Sequence, residues 1–309
     1  MARVPAAPVT TADTVTARGL PLLPAAAFVV VWSSGYIAGP AAVRDSAPLT
    51  VLGWRFLLAA AVGALLALAL RRPLRMSRPV VLRVAAVGLV MNAVQFSLMF
   101  LAFDLGMPAV LGSLFHALSP VLTALLAAGL LHEHISWVQV GGFVLGVAGV
   151  LLVLGPEVEQ AGGVAAVAMG AAAMLMLSAG TLGQRWIGAS PDLFWSTVLQ
   201  FAVSAPPVLV AGAILEGPWP VVDPVTTAVS LGFLVVVNSL MGLALLALLV
   251  RRAGSGAAGS LFFLSPPVTA VLAWLVLGES LGPRELLGLA VAVVGVAAAT
   301  RTRRKEPPT

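Results

Sequence analysis

The chain predicts an all-α membrane protein: ten transmembrane helices, arranged as two inverted five-helix repeats. Three observations carry that expectation. The composition is 60% hydrophobic and only 9% charged, with a mean hydropathy of +1.05. That leaves too little charge to clothe the water-facing surface of a soluble chain of 309 residues. Apolar runs long enough to cross a bilayer, about 20 residues each, recur along nearly the whole length. Finally, residues 118–150 and 264–296 align without a gap at an offset of 146, with 13 identities in 33 positions. A duplicated membrane segment is a plan that transporters use, because two similar halves can rock around a shared site.

The spans fall at 20–39, 49–70, 79–103, 107–131, 136–154, 163–187, 193–215, 225–250, 254–277 and 283–300. Breaks between them are marked by proline, glycine or charge. Examples are Pro40, Arg71-Arg72-Pro73, Gly106 with Pro108, Gly155-Pro156, Gly217-Pro218, Arg251-Arg252 and Gly282-Pro283. The runs are continuous and not alternating, which excludes a barrel and leaves a helical bundle. The organisation expected is a tail over 1–19, a first five-helix repeat over 20–154, a second over 163–300 and a basic tail over 301–309.

Basic residues set the orientation. With the N-terminus in the cytoplasm, the inside receives 14 of the 17 Lys and Arg residues, from Arg3 through Arg71, Arg72, Arg185 and Arg251 to Lys305. The outside receives Arg44 and Arg284, and Arg55 lies within a span. This follows the positive-inside rule and places both termini in the cytoplasm of a bacterial inner (plasma) membrane. The net charge of +5 is therefore topological, with some attraction to anionic lipid, and implies no nucleic-acid partner. Cysteine is absent, which removes disulfides and thiolate chemistry. The first apolar stretch lacks a cleavage site, so no removable signal peptide is expected.

Five spans per half reverses the second half. Glu133 then lies on the cytoplasmic side and Glu279 on the outer side. The same offset pairs Asn92 with Asn238, two polar residues deep in apolar helices.

Several motifs resemble the EamA family of the drug/metabolite transporter superfamily. They are Trp32-Ser33-Ser34-Gly35-Tyr36-Ile37-Ala38-Gly39, Trp54-Arg55-Phe56-Leu57-Leu58-Ala59-Ala60, and the twin pairs Ser119-Pro120 and Ser265-Pro266. Each repeat closes on a glutamate and two glycines: Glu133, Gly142 and Gly149, then Glu279, Gly288 and Gly295. The resemblance covers about residues 20–300. It implies two inverted five-helix repeats around a central cavity and carriage of small organic molecules such as amino acids. The first two helices of the halves have diverged, since Trp32 aligns with Ser178 and Arg55 with Phe201.

Candidate site residues follow from cost. Arg55 sits about seven residues, roughly 10 Å, inside the second span. A guanidinium that deep is paired or functional. It could clamp a substrate carboxylate, or pair internally with Asp45 or Asp104. Pro120 and Pro266 interrupt equivalent helices and are read as hinges or kinks. Asn92, Gln95, His116, Ser119, Asn238 and Ser265, with Ser34, form the polar part of a cavity lining, although interhelical hydrogen bonding would also explain them. Trp32, Tyr36 and Phe96 offer an aromatic wall or interfacial anchors. Glu133 and Glu279 are read as structural, fixing the helical hairpins ahead of Ser136 and Pro283. Gly142, Gly146, Gly149, Gly288 and Gly295 allow close helix contact, and such faces would also serve a homodimer.

The function expected is transport of a small organic metabolite by alternating access, with export of an amino acid or related carboxylate favoured. No cofactor, metal or catalytic residue is expected, because the one cluster of suitable side chains, His132, Glu133 and His134, lacks the spacing of helical zinc ligands. The alternatives are an intramembrane enzyme and a structural membrane subunit.

Overall fold

A computed structural model describes residues 21–300 apart from 45, 157, 189–191, 218–222 and 254. The two expected tails, 1–19 and 301–309, lie outside the described residues. Ten helices are long and apolar enough to cross a bilayer: α1 Leu22–Arg44, α2 Pro48–Ala69, α3 Arg78–Asp104, α4 Ala109–Leu131, α5 Trp137–Leu154, α6 Gly163–Ile187, α7 Phe194–Leu215, α8 Pro224–Ala253, α9 Ala257–Leu277 and α10 Pro283–Thr300. One expected boundary is corrected. Pro40 does not end α1 but lies inside it. A proline within an apolar span is tolerated where neighbouring helices and local adjustments accommodate the lost hydrogen bond.

Equivalent helices of the two halves pack against each other in reverse. In the α5–α10 seam a Cβ on Gly142 would lie 2.5 Å from Gly295 O, and one on Gly149 would lie 2.6 Å from Gly288 O. Gly142 is the equivalent of Gly288, and Gly149 of Gly295. The contacts are therefore reciprocal, as in an isologous interface, and the two helices run antiparallel. These glycines are engaged within the chain, backbone against backbone, so they are not the free face that a homodimer would use. The α2–α7 seam repeats the pattern: Gly53 faces Leu209 and Gly63 faces Val198.

Three interruptions in the helices were not foreseen. A π-helical turn spans Leu89–Val94 in α3 and another Leu234–Met241 in α8. They hold Asn92 and Asn238 respectively. Such turns are rare and often sit at functional positions. In α9 a 3₁₀ turn, Leu261–Leu264, precedes Ser265 and Pro266. The paired prolines thus differ. Pro266 opens a new α-helical stretch, whereas α4 continues through Pro120.

The hairpins after α4 and α9 match. His132 (φ 56°) and Gly278 (φ 72°) both adopt the left-handed conformation that commonly closes a helix. Behind them Glu133 N donates to Ala127 O and Glu279 N to Ala273 O. Ser136 and Gln139 form a capping box at the start of α5, and Pro283 is the first residue of α10.

Candidate functional site

The polar residues that should be costly inside apolar helices meet at the junction of the two halves. Arg55 on α2 is 5% exposed. Its Nε donates to Ser239 Oγ at 3.2 Å and its Nη2 to Asn238 Oδ1 at 2.7 Å, both on the π turn of α8. Its guanidinium carbon lies 5.0 Å from the Phe96 ring centre, within cation–π range. These contacts engage two of the five N–H groups of a guanidinium. The others have no hydrogen-bond partner among the described residues. No described carboxylate forms an ion pair with Arg55. The internal pair with Asp104 is therefore corrected, since that residue is exposed at the end of α3; Asp45 lies outside the described residues.

Asn238 does more than hold Arg55. Its Nδ2 donates to Val31 O at 3.2 Å and Trp32 O at 3.4 Å on α1. One side chain thereby ties α1, α2 and α8. The geometry needs Gly35, because a Cβ there would collide with Asn238 Nδ2.

Beside this cluster lies an aromatic group. Trp32 and Tyr36 present edge-to-face contacts to the His116 ring, with centres 5.7 and 5.9 Å away. Phe262 stacks on His116 at 6.1 Å and meets Trp32 edge-on at 4.9 Å. His116 and Phe262 are equivalent residues of the two repeats, so this contact falls where the halves meet. Phe56 extends the group, stacked on Phe201 and edge-on to Phe96.

The twin Ser-Pro pairs each receive a serine from the other half. Ser33 Oγ on α1 lies 3.0 Å from Ser265 Oγ. Ser178 Oγ on α6 donates to Ser119 O at 3.0 Å. Ser34, one residue away, bonds within its own helix to Val31 O. Gln95 is 2% exposed and its Oε1 has no hydrogen-bond partner among the described residues. Asn92 is buried on α3 but lacks the clamp its counterpart makes. Sequence reasoning passed over Ser33, Ser239 and Phe262. The offset of 146 applied to His116 would have found Phe262.

The two glutamates act across the repeats instead of capping the helices that follow them. Glu133 pairs with Arg185 of α6 at 2.8 Å. Glu279 Oε1 accepts the Ala109 N–H of α4 at 3.2 Å. A groove of about 300 Å³ lined by Ala270, Val271, Trp274, Ser280, Leu281 and Leu286 opens on the flank of α9 and α10 and shares no residue with the polar cluster. Among the described residues no group of three His, Asp or Glu side chains could hold a metal ion.

The model of the EamA-like transporter family matches this chain twice, over residues 19–155 and 164–301. The chain belongs to the EamA-like transporter family. This EamA-like chain is a multi-pass membrane transporter. It is 26% identical over 276 residues to the S-adenosylmethionine/S-adenosylhomocysteine transporter of Chlamydia trachomatis serovar D, covering 86% of this chain and 84% of that one. It is 25% identical to the "Probable amino-acid metabolite efflux pump" of Escherichia coli K12 (87% and 90% covered) and 29% identical to the "Probable terminal-alkyne amino-acid exporter" of Streptantibioticus cattleyicolor (91% and 94%). A crystal structure at 21% identity superposes with a TM-score of 0.62 over 90% of this chain and 95% of the other, so the fold is one already observed.

Proposed function

We propose that this transporter exports a small organic acid, an amino acid or related carboxylate, across the bacterial inner membrane by alternating access. Its two halves, bounded at 20–154 and 163–300, are inverted repeats, with both chain ends in the cytoplasm. The reciprocal glycine contacts of α5 and α10 support the inversion, and the 14-to-2 division of basic residues supports the orientation.

One observation carries the substrate reading: among the described residues, Arg55 is a buried guanidinium with no carboxylate paired to it and N–H groups to spare. A charge so placed calls for an anion, and a carboxylate matches its fork. Trp32, Tyr36, His116 and Phe262 then supply apolar and ring surface for the rest of the solute. Gln95, Ser119 and Ser265 complete the lining. Two of the relatives are named as a probable amino-acid metabolite efflux pump and a probable terminal-alkyne amino-acid exporter, which favours the same chemical class here.

The test is a metabolite panel in proteoliposomes, comparing wild type with Arg55→Ala and Arg55→Lys. Carboxylate transport is expected for the wild type. Losing a buried partner of a charged ligand costs about 2 kcal/mol or more, so Arg55→Ala should raise the half-saturating concentration at least about thirtyfold. Lys, lacking the fork, should recover only part of it. Unchanged carboxylate transport by Arg55→Ala would contradict the assignment.

A further inference from the structure

The seams between equivalent helices are not fastened alike. The α2–α7 seam is tied at both ends. At one end Glu216, just past α7, accepts Leu49 N (2.7 Å), Thr50 N (2.9 Å) and Thr50 Oγ1 (2.8 Å) at the start of α2. At the other end Arg72 pairs with Asp192 at 3.1 Å, and Trp195 Nε1 donates to Arg72 O. Among the described residues the α4–α9 seam is tied at one end only. There Glu279, just past α9, caps the start of α4. At the opposite end Glu133, its equivalent, pairs with Arg185 of α6, and no hydrogen bond or ion pair from it to α9 is present among the described residues.

The local chemistry explains why Glu279 is needed. The residue before α4 is Pro108, which offers no side-chain cap. Helix N-termini carry unpaired N–H groups and a partial positive charge. A carboxylate from the other repeat supplies what Pro108 cannot. The bond crosses between the halves, so it must break if α4 and α9 are to separate at that end.

We propose that Glu279 is a latch that holds the α4–α9 seam closed at its own end, while α2–α7, fastened at both ends, is the fixed frame on which the seam opens. The proposal rests on the carrier reading for its purpose but not for its test, since latch opening can be observed without substrate. Acid strengthens the latch. Burial pushes the Glu279 carboxyl above the ordinary glutamate range, against the lowering pull of the Ala109 and Val110 N–H groups and of Arg44 on α1. On its own hairpin Arg284 and Glu285 are paired with each other. An unlatched, solvated carboxyl would titrate at its usual value. The latched state therefore holds the proton more tightly, is favoured at low pH, and yields as pH rises through the latched value.

The chain has no cysteine, so one introduced thiol can report. Ser113 is 1% exposed and lies four residues beyond Ala109 on the same face of α4, about 6 Å deeper. Ser113→Cys would be labelled with a membrane-impermeant maleimide from the side that labels a Ser280→Cys reference. Glu279→Ala should speed labelling by about fivefold to tenfold, the loss of one charge-assisted hydrogen bond at a half-buried site. Glu279→Gln keeps an acceptor for Ala109 N–H, so it should stay closed and lose the rise with pH that wild type shows. Glu216→Ala should lower the unfolding temperature without changing the labelling rate. Equal effects of Glu216→Ala and Glu279→Ala would overturn the proposal. So would a wild-type rate that does not rise with pH, a reading that stands even if Glu279→Ala fails to fold. Failure of the carrier reading would show separately, as absent transport in the metabolite panel.

Discussion

The crossing of α1, α2 and α8 and its counterpart at α6, α7 and α3 are built on the same backbone plan with different chemistry. Each has a π turn in the third helix of its repeat, holding an asparagine at the equivalent position. In the first crossing Asn238 clamps Arg55 and the backbone of Trp32. In the second, the place of Arg55 is taken by Phe201, stacked on Phe56, and the place of Trp32 by Ser178, bonded to Ser119. The shared symmetry is thus in the scaffold, where glycine seams fix the helices, and the charge is in one copy only. Under the proposed assignment, a solute at this junction would meet a polar wall from one side and an apolar wall from the other, and the protein's asymmetry would set its orientation.

Substitutions at paired positions sharpen this contrast. The largest effect is expected at Asn238. Asn238→Leu removes three hydrogen bonds and frees Arg55, and should cut carboxylate transport by about tenfold while lowering stability by about 1 kcal/mol. Asn92→Leu, at the matching position without a clamp, should leave transport within about twofold of wild type, a difference under 0.5 kcal/mol. Transport assays with thermal unfolding on both variants check the pair. A smaller effect of the same kind is expected from Gly35→Ala. The added Cβ meets the end of the Asn238 side chain, which can swing away at a cost of about 0.5–1.5 kcal/mol for an off-rotamer position. Transport should fall by a few-fold, and Gly35→Ala added to Asn238→Leu should do no further harm. Full additivity would show that Gly35 acts through something other than Asn238.

Much of the architecture could be read from the residues because membrane constraints are severe. Spans show as apolar runs and duplication as the offset of 146. The site was legible only in part. These helices are apolar on nearly every side, so amphipathic periodicity does not mark which face turns inward. Hence the sequence does not distinguish Ser33, which bonds Ser265 of α9, from Ser34, which bonds Val31 O of its own helix. The π turns of α3 and α8 carry no compositional signature, and they shift the faces on which Asn92 and Asn238 fall. Pro40 looked like a terminator, yet α1 continues to Arg44. The cross-repeat roles of Glu216 and Glu279 depend on which helix start lies opposite, a fact of packing that local sequence does not hold.

The inversion of the two repeats is the premise for the shared site, the orientation and the latch. It is tested most directly with two single-cysteine proteins, His134→Cys and Ser280→Cys, at equivalent and exposed positions, treated with an impermeant maleimide on intact cells and on inside-out vesicles. The account predicts labelling of Ser280→Cys only from outside and of His134→Cys only from the cytoplasmic side; labelling of both from one side would contradict it.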